Sequence, residues 1–253
     1  MILHHPEDMT VRVSADVTLG ELQRELGRRG QWLPIDPPET LTIREVLDTN
    51  ASGPRRFGYG TVREHLIGIQ VRLPNGQEIK SGGNVVKNVA GYDLGKLFIG
   101  AHGKLGEITD ASFKLRPLPA VEKFVQGDAA SWDEVEGLLE AIAASPVTPV
   151  VFDLVSPARI ILGFAGTAAE VEWQLAEVAK LNIKEPSCLY YLHPLPGRVS
   201  VLPSRLIDTL REIRPDSFIA RAGNGVIEYR GGAERNASQT SSSLAARLEA
   251  AFR

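Results

Sequence analysis

The sequence predicts an α+β fold built as two domains, 1–120 and 121–253. Of its 24 glycines, 12 fall between Gly53 and Gly106, which points to backbone held in special conformations or set against a ligand. The run Arg116-Pro-Leu-Pro119 then punctuates the end of this glycine-rich half. From Val121 the pattern changes, and capped amphipathic helices alternate with short strands.

Val11, Val13, Ala15 and Val17 alternate with polar residues and predict a half-buried strand. Thr18-Leu-Gly-Glu21 has capping-box spacing, and Leu19, Leu22 and Leu26 share one helical face until Gly27 and Gly30 end it. Asp36-Pro37-Pro38 leads into the glycine-rich region. There, Ile67, Ile69, Val71 and Leu73 mark a strand that Pro74-Asn75-Gly76 turns back, and Phe113 with Leu115 closes the domain as another strand. In the second domain, 121–126 reads as a strand, and Ser131-Trp-Asp-Glu134 caps a helix with Val135, Leu138, Leu139 and Ile142 inward. Val150, Phe152 and Leu154 give a strand, 160–164 its partner, and Thr167-Ala-Ala-Glu170 opens a helix with Val171, Leu175 and Val178 on one face. A strand at 199–202 completes β-α-β-β-α-β, the ferredoxin-like order. A short helix with Leu206, Ile207, Leu210 and Ile213 follows, then a hairpin of 218–222 and 226–229 around Gly223-Asn-Gly. The Ser/Ala-rich end from Ala233 is expected as a loosely held helix or tail.

Composition narrows the function classes. Hydrophobic content of 43% and charged content of 23% are those of a globular protein, and a net charge of -3 offers no electrostatic case for nucleic acid. The one cysteine, Cys188, forms no internal disulfide, reads as buried and inert, and suits a cytoplasmic setting. The opening Met1-Ile-Leu-His-His-Pro-Glu7 is too short and polar for a secretory signal, and no apolar run approaches the roughly 18 residues of a membrane span, so membrane association is expected only through a partner. His4 and His5 are expected at an exposed terminus, His65 at a strand edge, and His102 and His193 in loops; no metal-ligand spacing is present.

Four motifs follow one another: Asn50-Ala-Ser-Gly-Pro-Arg55, Phe57-Gly-Tyr-Gly-Thr-Val-Arg63, Gly82-Gly-Asn-Val-Val-Lys-Asn-Val-Ala-Gly-Tyr-Asp-Leu94 and Phe98-Ile-Gly-Ala-His-Gly-Lys-Leu-Gly-Glu-Ile-Thr109. A dinucleotide's pyrophosphate is held by backbone N–H groups converging on it, and glycine or small residues permit that approach. Tight turns between strands use the same residues. Isolated glycines such as Gly68 and Gly95 fit the turn reading, whereas 50–53 and 100–108 are expected to meet a ligand. Arg55 and Arg56 fit either a phosphate or carboxylate contact or a solvated rim.

These motifs resemble the flavin domain of the vanillyl-alcohol oxidase (PCMH-type) superfamily, and in particular the E-type subunits of bacterial glycolate oxidases. The likeness is dense from Asp8 to Pro119, with Lys87-Asn-Val-Ala-Gly-Tyr-Asp93 and Gly100-x-x-Gly-x-Leu-Gly106 its most specific parts. It implies the second half of a PCMH-type FAD-binding domain followed by a ferredoxin-like cap, with FAD contacted by Pro37, Asn50, Ser52, Gly53, Gly60, Thr61, Gly103, Gly106 and Ile108. It also implies oxidation of a small 2-hydroxy acid by hydride transfer to flavin, together with D-type and iron-sulfur F-type partner subunits. Catalytic residues are not assigned. Lys87 is placed either at the flavin's pyrimidine edge or in a surface pair with Asp93, and Tyr59 and Tyr92 either on the ring system or in ordinary packing.

The sequence departs from the family's pattern twice. A Gly-Gly pair is replaced by Arg44-Glu45, which sets bulky charged side chains where backbone would approach the cofactor. The resemblance also leads to the expectation that the family's preceding subdomain, with its glycine-rich pyrophosphate loop, is missing. Both lead to an expectation of weak FAD retention by the chain alone and of an obligate partner. A non-catalytic interaction subunit that has lost or weakened FAD binding is the alternative.

Overall fold

In the computed structural model, which describes residues 1–83, 94–184 and 195–233, the valine alternation near the N-terminus becomes the second strand of a hairpin. β1 (Ile2–His5) pairs antiparallel with β2 (Thr10–Ser14), Ile2 opposite Val13. The terminus is thus tied into a sheet, and His4 lies half-buried with Nε2 2.9 Å from Gln31 Oε1, which corrects its expected place at an exposed end. α1 (Leu19–Gly27) begins where its capping box predicts: Thr18 Oγ accepts the Glu21 N–H, and the Glu21 carboxylate accepts the Thr18 N–H. Leu19, Leu22 and Leu26 are fully buried.

The chain then forms β3 (Gln31–Trp32), α2 (Ile43–Thr49) and two single-turn helices, α3 (Arg56–Tyr59) and α4 (Val62–His65). β4 (Leu66–Arg72) turns back through Pro74–Gly76 into β5 (Glu78–Gly82), and Gln77 N–H closes on Asn75 Oδ1 at 3.0 Å. After α5 (Gly95–Phe98), β6 (Glu107–Lys114) enters between β2 and β4, giving the antiparallel order β1-β2-β6-β4-β5. β7 (Arg116–Pro117) pairs with β3. One face of the sheet carries Val11, Val13, Ile69, Val71, Ile108, Ala111 and Phe113 into a core shared with the α1 leucines and with Ile43, Val46 and Leu47 of α2.

A second unit begins at Val121. Its elements are β8 (Val121–Asp128), α6 (Trp132–Ala144), β9 (Val151–Val155), β10 (Arg159–Gly166), α7 (Ala168–Ala179), β11 (Gly197–Ser200), α8 (Leu206–Ile213), β12 (Ser217–Arg221) and β13 (Val226–Arg230). Ser131 caps α6, and the Thr167–Glu170 box caps α7. The antiparallel sheet runs β11-β13-β12-β9-β10-β8. The strand expected at 199–202 is displaced from its predicted neighbour: as β11 it pairs with β13, at the far edge from β8. The cause is the hairpin β12-β13, which docks on β9 and extends the sheet in that direction. On the side of β8 away from β10, the described residues place an isolated bridge, Gln126 opposite Lys184.

Candidate functional site

The site grows from the C-terminal end of α2. Thr42-Ile-Arg-Glu45 is itself a capping box: Glu45 Oε2 accepts the Thr42 N–H at 2.8 Å, and Thr42 Oγ accepts the Glu45 N–H at 3.2 Å. The Thr42 N–H, with the Thr42 hydroxyl that donates to the same oxygen at 2.8 Å, holds the Glu45 carboxyl below its usual range. Arg44 reaches Glu107 at 2.6 Å. Both side chains expected to crowd a cofactor are therefore engaged with the protein, and the Thr-x-x-Glu spacing was the signal that identifies them as a helix start.

Asn50 ends α2 in the left-handed region (φ 49), its N–H and that of Ala51 donating to Leu47 and Val46 carbonyls. Ser52 and Gly53 follow. A Cβ on Gly53 would stand 2.2 Å from the Asp36 carbonyl oxygen and 2.5 Å from Asp36 Oδ1, so only glycine lets the 50–53 segment lie against Asp36 and the buried Pro37. Arg55 locks this approach, its N–H donating to Asp36 Oδ2 at 3.0 Å.

The second glycine loop packs on the same helix end. Gly100 N–H donates to Leu47 O at 2.9 Å, His102 N–H to Asp48 O at 3.0 Å, and Gly103 N–H to the Asp48 carboxylate. Burial pushes the Asp48 carboxyl up, and the Gly103 N–H opposes that shift. Gly100 faces Asn50 Cβ at 3.8 Å, and the Cβ direction of Gly103 is open up to Asp48 Oδ2 at 4.0 Å. Asn50, Ser52, Gly53, Gly100 and Gly103 are thus gathered around one helix end, and Pro37 follows the Asp36 against which Gly53 lies. The other predicted residues lie elsewhere. Gly60 (φ 83) ends α3, and Thr61 caps α4 through Glu64, N–H and O–H both donating to Glu64 Oε2 at 2.7 and 2.6 Å. A Cβ on Gly106 (φ 155) would meet Val71 Cγ1 at 2.7 Å and Arg72 O at 2.9 Å, and Ile108 is a core residue paired with Val71.

A count of backbone donors shows what this loop pair has left for a ligand. The N–H groups of Asn50, Ala51, Arg55, Arg56, Gly100, Ala101, His102, Gly103, Lys104 and Gly106 are all committed to protein acceptors. Among the described residues, the Ser52 and Gly53 N–H groups, and in the second loop that of Leu105, meet no acceptor, and the buried Asn50 Oδ1 meets no donor. An FAD pyrophosphate fits the first two, and a ribose, ribityl or ring donor fits Asn50 Oδ1.

Tyr59 packs edge-on against Trp32 (5.3 Å, 86°), with Arg116 over its own ring and Arg55 over Trp32. His65, expected at a strand edge, is instead buried at the end of α4. Its Nε2 lies 2.9 Å from Tyr59 O, and Nδ1 is buried without a partner. Burial holds its pKa below the usual histidine value, and the charges of Lys114 and Arg116 act in the same direction. A depressed folded-state pKa means the protein is stabilised above the unfolded value of about 6.5 and loses that contribution as pH falls toward the folded value. Melting temperature should therefore fall on acidification from neutral pH, and His65→Leu should flatten that dependence; parallel melting curves at several pH values for the two proteins check it.

The Lys87–Asp93 run, Tyr92, Cys188, His193 and the Ser/Ala-rich end lie outside the described residues. Among the described residues no cluster of His, Cys, Asp or Glu could hold a metal, and no helix is long and apolar enough to cross a membrane.

Residues 1–82 match the family described as FAD binding domain. The chain is 32% identical over 158 residues to glycolate oxidase subunit GlcD of Bacillus subtilis (strain 168), covering 62% of this chain and 34% of that protein. Over 122 residues it is 34% identical to glycolate oxidase subunit GlcE of Escherichia coli (strain K12), covering 47% and 35%. It is 38% identical over 115 residues to a mitochondrial D-lactate dehydrogenase [cytochrome] of Arabidopsis thaliana, covering 46% and 20%. The chain thus spans about a third or less of these relatives' length. Among solved structures, an alkyldihydroxyacetonephosphate synthase shares the fold, with a TM-score of 0.62 at 19% identity over 73% of this chain and 42% of that one. The likeness read from the glycine motifs stands: this chain is related to FAD-linked oxidoreductases, and FAD is the cofactor of the domain family its first 82 residues match.

Proposed function

Starting from a first unit related to FAD binding domains, we propose that this chain contributes one wall of an FAD site and serves in a glycolate-oxidase-like complex. The observation that carries this reading is the pair of acceptor-free N–H groups at Ser52 and Gly53, set with Asn50 and Gly100 at one helix end. FAD, when bound, supplies the hydride acceptor for oxidation of a 2-hydroxy acid at its α-carbon. This chain's residues bind and orient: Ser52 and Gly53 donate to phosphate oxygens, Asn50 Oδ1 accepts from a hydroxyl or ring N–H, and the Asp36–Arg55 contact keeps the segment in place. In this reading 1–120 is the second half of a PCMH-type domain and 121–253 its ferredoxin-like cap. The chain acts as the E-type subunit in the cytoplasm beside D-type and iron-sulfur F-type partners.

A backbone donor to a charged phosphate contributes about 1.5–3 kcal/mol, so two contribute roughly 3–6, short of the about 8 kcal/mol that a micromolar Kd represents. Tight retention therefore draws on further contacts, from this chain or from a partner. The chain alone should bind FAD weakly in equilibrium dialysis, and more tightly once a D-type subunit is added. An absence of binding in both conditions would sink the reading. It would favour the second one, a non-catalytic interaction subunit, whose support is that Gly100, His102 and Gly103 of the second loop spend their N–H groups on α2.

A further inference from the structure

Among the arginines of the first unit, Arg12, Arg28, Arg44, Arg55 and Arg72 each pair with a carboxylate. Arg24, Arg29, Arg56, Arg63 and Arg116 have no described carboxylate partner, and of these Arg56 is the one on the 50–56 segment. Half-buried, it makes one described side-chain hydrogen bond, a long one of 3.4 Å to Ser52 Oγ, and no described carboxylate lies within ion-pair reach. A guanidinium held partly out of water without a counter-ion is costly unless an anion arrives to meet it.

Its position says where that anion goes. Arg56 N–H donates to Gly53 O at 3.2 Å, closing a tight turn that sends the side chain back over Ser52. The guanidinium thus reaches the side chain of Ser52, a residue whose own N–H, like that of Gly53, has no described acceptor. The nearby acid, Asp36, is neutralised by Arg55 through its backbone N–H and its guanidinium. Arg56 leaves the 52–56 turn with a net positive charge.

We propose that Arg56 and the Ser52 and Gly53 N–H groups form one anion site, which takes a phosphate of the flavin dinucleotide. The inference rests on the flavin reading above and adds the cation that two neutral N–H donors lack. A guanidinium beside two adjacent N–H groups suits the several oxygens of a phosphate. The carboxylate of a 2-hydroxy acid shares part of that chemistry, and the test separates the two.

Full-length wild type, Arg56→Gln and Arg56→Lys are titrated with FAD, ADP, riboflavin and glycolate by calorimetry, with circular-dichroism melts confirming the fold. Arg56→Gln is expected to weaken FAD and ADP about tenfold or more and to leave riboflavin unchanged, while Arg56→Lys recovers part of the loss. Rising salt should weaken FAD binding to wild type and narrow its lead over the glutamine variant. Equal FAD affinity in wild type and Arg56→Gln overturns the inference while the flavin reading survives, and so does a loss confined to glycolate. A wild type that binds no FAD, alone or with a D-type subunit, overturns the flavin reading itself. Should Arg56→Gln fail to fold, salt-independent FAD binding by wild type overturns the inference.

Discussion

Gly106→Val is expected to destabilise the first unit by about 2–6 kcal/mol, combining backbone strain and overpacking of about 1–3 kcal/mol each. The loss should be the same with and without FAD. The reason is geometric: at φ 155 the new Cβ points at Val71 Cγ1, 2.7 Å away, and at the Arg72 carbonyl, 2.9 Å away. Both belong to β4, the strand beside β6, so neither can retreat without opening the sheet. Gly103→Ala differs, because its Cβ direction is open and only the left-handed backbone (φ 71) resists, at a cost of about 1 kcal/mol. Paired melting curves with and without FAD check both variants. A Gly106→Val protein that melts like wild type yet fails to hold flavin would defeat the structural account of this glycine and return it to the cofactor.

The other large effect belongs to the second unit. Asp153 on β9 and Arg221 on β12 face each other across neighbouring strands, both buried, and form an ion pair. Neighbours such as Val151, Val155 and Ile219 are buried and apolar. Asp153→Ala should cost about 3–5 kcal/mol, because it leaves a buried guanidinium without its counter-ion. Replacing both at once, Asp153→Leu with Arg221→Met, should recover most of that loss, since an apolar pair of similar volume removes the desolvation penalty with the charges. Urea unfolding of the two variants decides it. Equal losses in the single and double variants would mean that shape at this position matters more than charge.

Both expectations concern residues that sequence reasoning ranked differently or passed over. In sequence Gly106 and Gly103 form one ligand-facing motif, because spacing along the chain cannot tell a glycine that faces a neighbouring strand from one that faces open space. Asp153 lies between Phe152 and Leu154 in an apolar run, and its partner is 68 residues away. The Thr42–Glu45 box was legible in principle, because its signal is local, but the family's Gly-Gly pattern drew attention to the replaced glycines instead. His65 and Arg56 were visible as residue types, while the burial of one and the missing counter-ion of the other depend on what folds over them.

What the sequence determines alone is whatever rests on contacts between near neighbours. Helix starts at Thr18, Ser131 and Thr167, the turn at Pro74–Gly76 and the hairpin of β12 and β13 all follow from side chains within a few residues of one another. Period-2 and period-3.6 burial follow equally, because backbone geometry alone dictates which side chains share a face. Non-local contact settles the rest. The pairing of β11 with β13 instead of beside β8, the closure of Gly53 on Asp36 and the docking of the Gly100–Gly106 loop on α2 each join segments far apart in the chain. A backbone N–H is the same group at Ser52 and at Gly103 until a distant acceptor arrives. Which donors are left for a phosphate is therefore a property of the folded chain.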